Sequence, residues 1–139
     1  MATQPTPKPA PDVRAEIRRL EQTFAQAFNT GDLDTVTNFY TADASVLPAH
    51  NPQLEGRTAT REFFQKMRDA GASDLRLEQG RIEESGDLVV HAGRYTFNAP
   101  DPKGGTRPDQ GKFVAVYRRQ SDGSLQLAID TWNSDLPLE

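Results

Sequence analysis

The chain has no cysteine among its 139 residues. Disulfides, thiolate metal ligands and a cysteine nucleophile are thereby excluded. Histidine is scarce, with His50 and His91 the whole supply. That is too little for a histidine-rich metal centre, and no metal or cofactor is expected. Nowhere do about 18 apolar residues run together, so no membrane span is expected. The N-terminus lacks the hydrophobic segment of a secretory leader, which makes the cytoplasm the expected location. An excess of basic residues is missing too. Sixteen Lys and Arg against 20 Asp and Glu leave a net charge of −4 and a pI near 5.2. This balance argues against non-specific binding to nucleic acid or to an anionic membrane. Hydrophobic residues make up only 35%, so part of the chain belongs to loops or a tail. What remains suffices for one domain with a core and a cavity.

Residues 1–11 hold four prolines and almost nothing to bury. They read as a disordered, dispensable tail, with the folded domain over 12–139. Asp12 is placed to cap a helix. Val13, Ile17, Leu20, Phe24, Ala27 and Phe28 follow at spacings of three and four, the stripe of an amphipathic helix that Gly31 ends. Asp32 starts a second, short helix through Leu33, Val36, Phe39 and Tyr40. Ser45–Leu47 reads as a short strand closed by Pro48, and a polar loop carrying His50 follows. A third helix runs from about Thr58 to Ala70 with Phe63, Phe64 and Met67 as its apolar stripe.

Beyond Gly71 the period changes to two. Leu75 to Glu83 alternates, with a slip near Gly80 that predicts a bulge. Leu88–Asn98, Lys112–Gln120 and Leu125–Ser134 read as strands. Turns at Ser85-Gly86-Asp87 and Ser121-Asp122-Gly123 and a long loop over 99–110 connect them. Three helices with a short strand among them, followed by an antiparallel meander of four, make an α+β domain. Its helices pack on one face of a curved sheet.

The last strand organises the reading. Leu125, Leu127 and Ile129 fall on one side, and Gln126, Ala128, Asp130 and Trp132 on the other. That second side carries the only tryptophan of the chain, two residues from a carboxylate, and it reads as the wall of a pocket. Phe113, Ala115 and Tyr117 are expected on the same inward side. Ala92, Arg94 and Thr96 are expected inward from the strand before. His91, Tyr95 and Phe97 are expected outward with Val114 and Val116, on an apolar face that predicts a two-fold homodimer.

Several segments in this order carry a resemblance. They are Asn29-Thr30-Gly31-Asp32-Leu33, Phe39-Tyr40-Thr41-Ala42-Asp43-Ala44, Gly56-Arg57 ahead of the Phe63-Phe64 helix, the 111–120 strand, and Asp130-Thr131-Trp132-Asn133-Ser134-Asp135. Together they resemble the nuclear transport factor 2-like superfamily, in its SnoaL-like and ketosteroid isomerase-like branch, over about Val13 to Pro137. The resemblance implies a cone-shaped fold of helices and bent sheet around a pocket, with a dimer through the outer sheet face. Members include isomerases, cyclases, epoxide hydrolases, dehydratases and non-catalytic domains, so the fold does not fix an activity. By motif, the steroid isomerase base falls at Pro48, its tyrosine at Phe24 and its second acid at about Ala115. All three groups are absent, which rejects that mechanism. In epoxide hydrolases of this fold, Asp130 and Arg94 match the last-strand aspartate and the bridging arginine. Thr96 stands where their second aspartate would be.

Two functions follow. One is a cofactor-free acid/base enzyme of the cyclase, isomerase, dehydratase or hydrolase kind, acting on a small apolar or polyketide-like molecule. Asp130 would exchange the proton, and Arg94 would hold that carboxylate ionised. Trp132, Tyr117, Phe63, Phe64 and Phe24 would line the pocket, with Tyr40 as its roof and His50 at its mouth. The other is a module that binds a ligand or dimerises without catalysis. Each residue has a plain structural reading beside this one. Arg94 and Asp130 could be a buried ion pair, the aromatics core, and His50 a solvated loop residue.

Overall fold

The computed structural model describes residues 12–137, and the tail expected over 1–11 lies outside them. Two helices come first, α1 (Val13–Thr30) and α2 (Leu33–Asn38), then strands β1 (Tyr40–Leu47) and β2 (Leu54–Glu55). Helix α3 (Gly56–Asp69) leads into four long strands, β3 (Ser73–Ser85), β4 (Leu88–Pro100), β5 (Thr106–Arg119) and β6 (Leu125–Ser134).

The helix ends follow from local chemistry. Gly31 takes φ 80° at the end of α1, a left-handed conformation that costs glycine little. Asp32 caps α2 by accepting from the Thr35 N–H at 3.2 Å and from its hydroxyl at 2.6 Å. Asp12 differs from expectation: its side chain makes no capping bond. Asn29 ties the end of α1 to the sheet, donating to Leu75 O at 3.0 Å and accepting from Leu75 N at 2.7 Å.

The six strands form one curved, unclosed sheet in the order β2-β1-β6-β5-β4-β3, with helices packed against it. The four-strand meander is antiparallel as expected, but β1 joins β6 in parallel, so the sheet is mixed. Three boundaries also differ. Tyr40 opens β1 instead of ending α2, β5 begins at Thr106 inside the expected loop, and β2 arises from residues read as loop.

The register decides which side chains look inward. Directly opposed residues in neighbouring strands share a face. One inner row runs Val89, Tyr117, Leu127, Tyr40, and the next runs His91, Ala115, Asp130, Val46. A third row holds Gly93, Phe113 and Trp132. Gly93 is required there, because a Cβ would lie 2.6 Å from the Phe113 ring.

Two bulges set this register. Near Gly80 the β3–β4 pairing shifts, as the sequence predicted. In β6 the pairing jumps from Leu127 to Ile129, leaving Ala128 as the extra residue. The second bulge was not foreseen. It lets Leu125 and Leu127 face inward together with Asp130 and Trp132, and it turns Ile129 outward. The inner face and the apolar stripes of α1 and α3 enclose the core, in which Ile17, Phe28, Val36, Tyr40, Val46 and Val89 are essentially inaccessible.

Candidate functional site

A cavity opens between α1, α3 and the inner face of β3–β6. Its walls are mostly aromatic and include Phe24, Phe28, Phe64, Phe113, Tyr95 and Trp132. Half-buried Met67, Leu75, Phe97 and Trp132 form its rim, and buried Glu21, Ala115, Tyr117 and Asp130 its floor. About 90 Å³ of it is open to the centres of water molecules. One water needs roughly 10–15 Å³ on that measure, so there is room for several waters or a small ring compound.

Asp130 enters the cavity from β6, next to the Ala128 bulge. Tyr40, fully buried at the start of β1, donates its hydroxyl hydrogen to Asp130 Oδ2 at 2.7 Å. Burial pushes the Asp130 carboxyl up from 3.8 to about 6. The Tyr40 hydrogen bond opposes this rise and the Glu21 charge adds to it. Burial also raises the Tyr40 hydroxyl well above its ordinary value, with the Asp130 charge reinforcing the effect, so Tyr40 stays a donor.

A second carboxylate comes from α1. Glu21 is 5% exposed and lines the cavity. Its Oε2 lies 2.6 Å from His91 Nδ1 and accepts from the Tyr117 hydroxyl at 3.0 Å. The Gly80 N–H donates to His91 Nε2 at 3.0 Å. Nε2 therefore carries the lone pair, the ring hydrogen sits on Nδ1, and His91 donates it to Glu21. The bulge at Gly80 thus positions a backbone N–H that fixes the tautomer of a histidine on the next strand. Burial and then the Glu21 charge raise the Tyr117 hydroxyl well above its ordinary value. Glu21 Oε1 has no hydrogen-bond partner, and among the described residues it is the one fully buried side-chain polar atom in that condition.

The predicted residues divide. Asp130, Trp132, Tyr117, Phe64 and Phe24 all line the cavity. Trp132 stacks on Phe64 at 18° between planes and 6.1 Å between centroids. Phe63 stands behind, packed on both rings. Tyr40 reaches the cavity through Asp130 and not as a roof. His50 lies exposed in a turn with φ 61°, away from the cavity lining.

Arg94 does not pair with Asp130. It lies on the outer face, 54% exposed, and donates to Asp135, which also accepts from Lys112 at 2.8 Å. The expected parity of β4 is inverted. Val89, His91, Tyr95 and Phe97 face in, while Ala92, Arg94 and Thr96 face out. The reason is the register, which sets His91 opposite Ala115 and Tyr95 opposite Gly111, both on the inward side of β5. Among the described residues no guanidinium acts on Asp130 to hold its carboxyl down, so burial sets the direction. Arg94→Met is therefore expected to leave the melting temperature at neutral pH nearly unchanged, since exposed ion pairs contribute little. A drop of several degrees would show that Arg94 supports the fold from outside.

Glu21 and His91 were missed as site residues. Glu21 stands at Ile17 + 4 and Phe24 − 3, inside the apolar stripe of α1. A charge there was the available signal, because an unpaired carboxylate is not buried without function or partner. Among the described residues no cluster of three or more His, Cys, Asp or Glu could hold a metal ion. None of the described helices is long and apolar enough to cross a membrane.

Similar folds occur among solved structures. A ketosteroid isomerase-like protein from Erwinia carotovora atroseptica superposes with a TM-score of 0.77 at 20% identity, covering 91% of this chain and 98% of that one. An NTF2-like protein of unknown function from Pseudomonas putida gives 0.73 at 19%, covering 94% and 92%. Aln2 from Streptomyces sp. gives 0.75 at 19%, covering 91% and 94%. At this identity the likeness concerns the fold alone. By sequence, no curated protein matches the chain. Residues 20–127 match the SnoaL-like domain, and the chain belongs to that family, with the cone-shaped nuclear transport factor 2-like fold.

Proposed function

We propose that the protein is an acid/base enzyme that moves a proton on a small, largely apolar ring compound. One observation carries this reading. Asp130 stands in an aromatic cavity with its carboxyl raised to about 6 by burial. A general base works best when its pKa lies near the working pH. Asp130 is then mostly ionised at neutral pH and takes up a proton at modest cost. Tyr40 holds Oδ2 and fixes the carboxylate plane. The mostly apolar walls supply no basic group for phosphate or carboxylate among the described residues, which points to polyketide-like or terpenoid-like substrates. A test is solvent deuterium exchange at carbon in cyclic hydroxy ketones, followed by NMR. Exchange should rise through an inflection near pH 6 in the wild type and be lost in Asp130→Asn. Equal exchange by both proteins would remove Asp130 as the base. Ring compounds that bind without exchange would leave a carrier.

A homodimer belongs to the same proposal. On the outer face Val90, Val116 and Ile129 are cross-strand neighbours, and Ala92, Val114, Thr131 and Leu47 form the adjoining row. Val114 and Ile129 are 39% and 45% exposed. A two-row, mostly apolar patch can cover itself by two-fold pairing with a second copy. Tyr95 and Phe97, expected in this patch, point into the cavity and take no part. Sedimentation at micromolar concentration should give a dimer, and a lone 15.4 kDa species would defeat the idea.

A further inference from the structure

We propose that Glu21 Oε1 is the docking point of the ligand, and that the cavity selects molecules presenting a hydrogen-bond donor and rejects anions. The inference rests on the reading of the cavity as the ligand site, and it assigns the polar chemistry of what binds there. Four observations carry it. First, Glu21 Oε1 is buried and unpartnered. A buried acceptor left empty is costly, and native structures seldom keep one without a use. Second, the donors around it are committed. His91 and Tyr117 both donate to Glu21 Oε2, and Tyr40 donates to Asp130. Third, among the described residues no Lys, Arg or His lines the cavity, so it offers an anion no cationic partner. Fourth, Glu21, Ala115 and Asp130 all line the cavity. Ala115 lies between His91 and Asp130 in one row of the sheet. Two strand spacings, roughly 10 Å, separate His91 from Asp130 along that row. Glu21 bonds to His91 on one side of Ala115, Asp130 stands on the other, and Ala115 contributes only a methyl group between them. A six-membered ring set on Ala115 would have an acceptor on one side and the proposed base on the other. A hydroxyl or an N–H on the ring satisfies Glu21 Oε1, whereas a carboxylate or phosphate would meet two carboxylates of its own sign.

The same contacts define a discriminating variant. In Glu21→Gln the amide oxygen can take over the two donors from His91 and Tyr117, which preserves the fold. The amide NH₂ then turns toward the space and replaces an acceptor by a donor. Trp132 is the only tryptophan and part of the cavity wall, so its fluorescence reports occupancy. The experiment titrates cyclohexanol, cyclohexanone and cyclohexanecarboxylate into the wild type, Glu21→Gln and Asp130→Asn. The wild type should bind the alcohol about tenfold or more tighter than the ketone, as expected for a hydrogen bond to a charged acceptor, and should ignore the carboxylate. Glu21→Gln should lower the alcohol-to-ketone ratio by about tenfold or more. Asp130→Asn should keep the alcohol preference. An unchanged ratio in Glu21→Gln, tight binding of the carboxylate by the wild type, or no response to cyclohexanol at millimolar concentration would each overturn the inference. Failure of the acid/base reading looks different: the alcohol preference would persist while deuterium exchange was indifferent to Asp130.

Discussion

Asp130→Asn is expected to melt no lower than the wild type at pH 7 and below it under pH 4. The carboxyl is raised from 3.8 to about 6 in the folded protein. Between those values the unfolded chain has released the proton while the native state still holds it. Native stability contributed by this group therefore falls as pH rises through that window, and above about pH 6 the full penalty is present. At about 1.4 kcal/mol per pH unit the rise amounts to roughly 3 kcal/mol. Asparagine removes the ionisation and keeps an oxygen for the Tyr40 hydroxyl, while its buried NH₂ costs about 1–3 kcal/mol if unpaired. A net gain of up to about 2 kcal/mol at pH 7, turning into a loss of about 1–3 kcal/mol below pH 4, is the expected outcome. Thermal melts at four or five pH values measure it. A variant that melts below the wild type at pH 7 would mean that the ionised Asp130 is stabilised by contacts stronger than burial is costly. Greater stability with lost exchange would mark Asp130 as a group kept for activity at the expense of the fold.

The second large effect is expected at His91. Its ring is fully buried, donates to Glu21 and accepts from Gly80 N–H. His91→Leu keeps much of the volume and removes both bonds, leaving the Glu21 carboxylate with Tyr117 as its remaining donor. A loss of about 3 kcal/mol or more is expected, the scale for a buried charged acceptor deprived of a partner. The double variant His91→Leu with Glu21→Leu should recover part of that loss, because the carboxylate that needed the donor is gone. Denaturant melts of the two single variants and the double one decide it. A His91→Leu protein as stable as the wild type, or a double variant no better than the single one, would show that Glu21 is solvated through the cavity.

The elements that could be read from sequence were those whose signals are local. Gly31, Asp32 and Gly71 punctuate the helices, and period two runs through β3–β6. Asp130 and Trp132 were read as inward, and they are, although the bulge at Ala128 places Leu125 and Leu127 inward as well. Side-chain parity in β4 could not be read in the same way. Its two faces both carry apolar and polar residues, so the alternation of Val89, His91, Tyr95 and Phe97 against Val90, Ala92, Arg94 and Thr96 fits either orientation. A one-residue choice flips every side chain, and that single choice exchanged His91 for Arg94 as the inward polar group. Glu21 was hidden by a stripe that looked complete without it. Its partners His91 and Tyr117 stand 70 and 96 residues away, and a separation of that kind leaves no trace in local pattern.

The parallel pairing of β1 with β6 also governs how the chain reaches its folded state. β6 is the last strand made, yet it must insert between β1 and β5 to complete the sheet. The Tyr40–Asp130 hydrogen bond closes a separation of 90 residues. Contacts this distant are entropically expensive to close and are made late in folding. Until β6 docks, β1 and β5 each present an open edge, and the aromatic lining of the cavity lacks the wall that Trp132 and Asp130 supply. The interval before docking is when the chain is most exposed to self-association, and the strand that ends it is the one that brings Asp130 into the cavity.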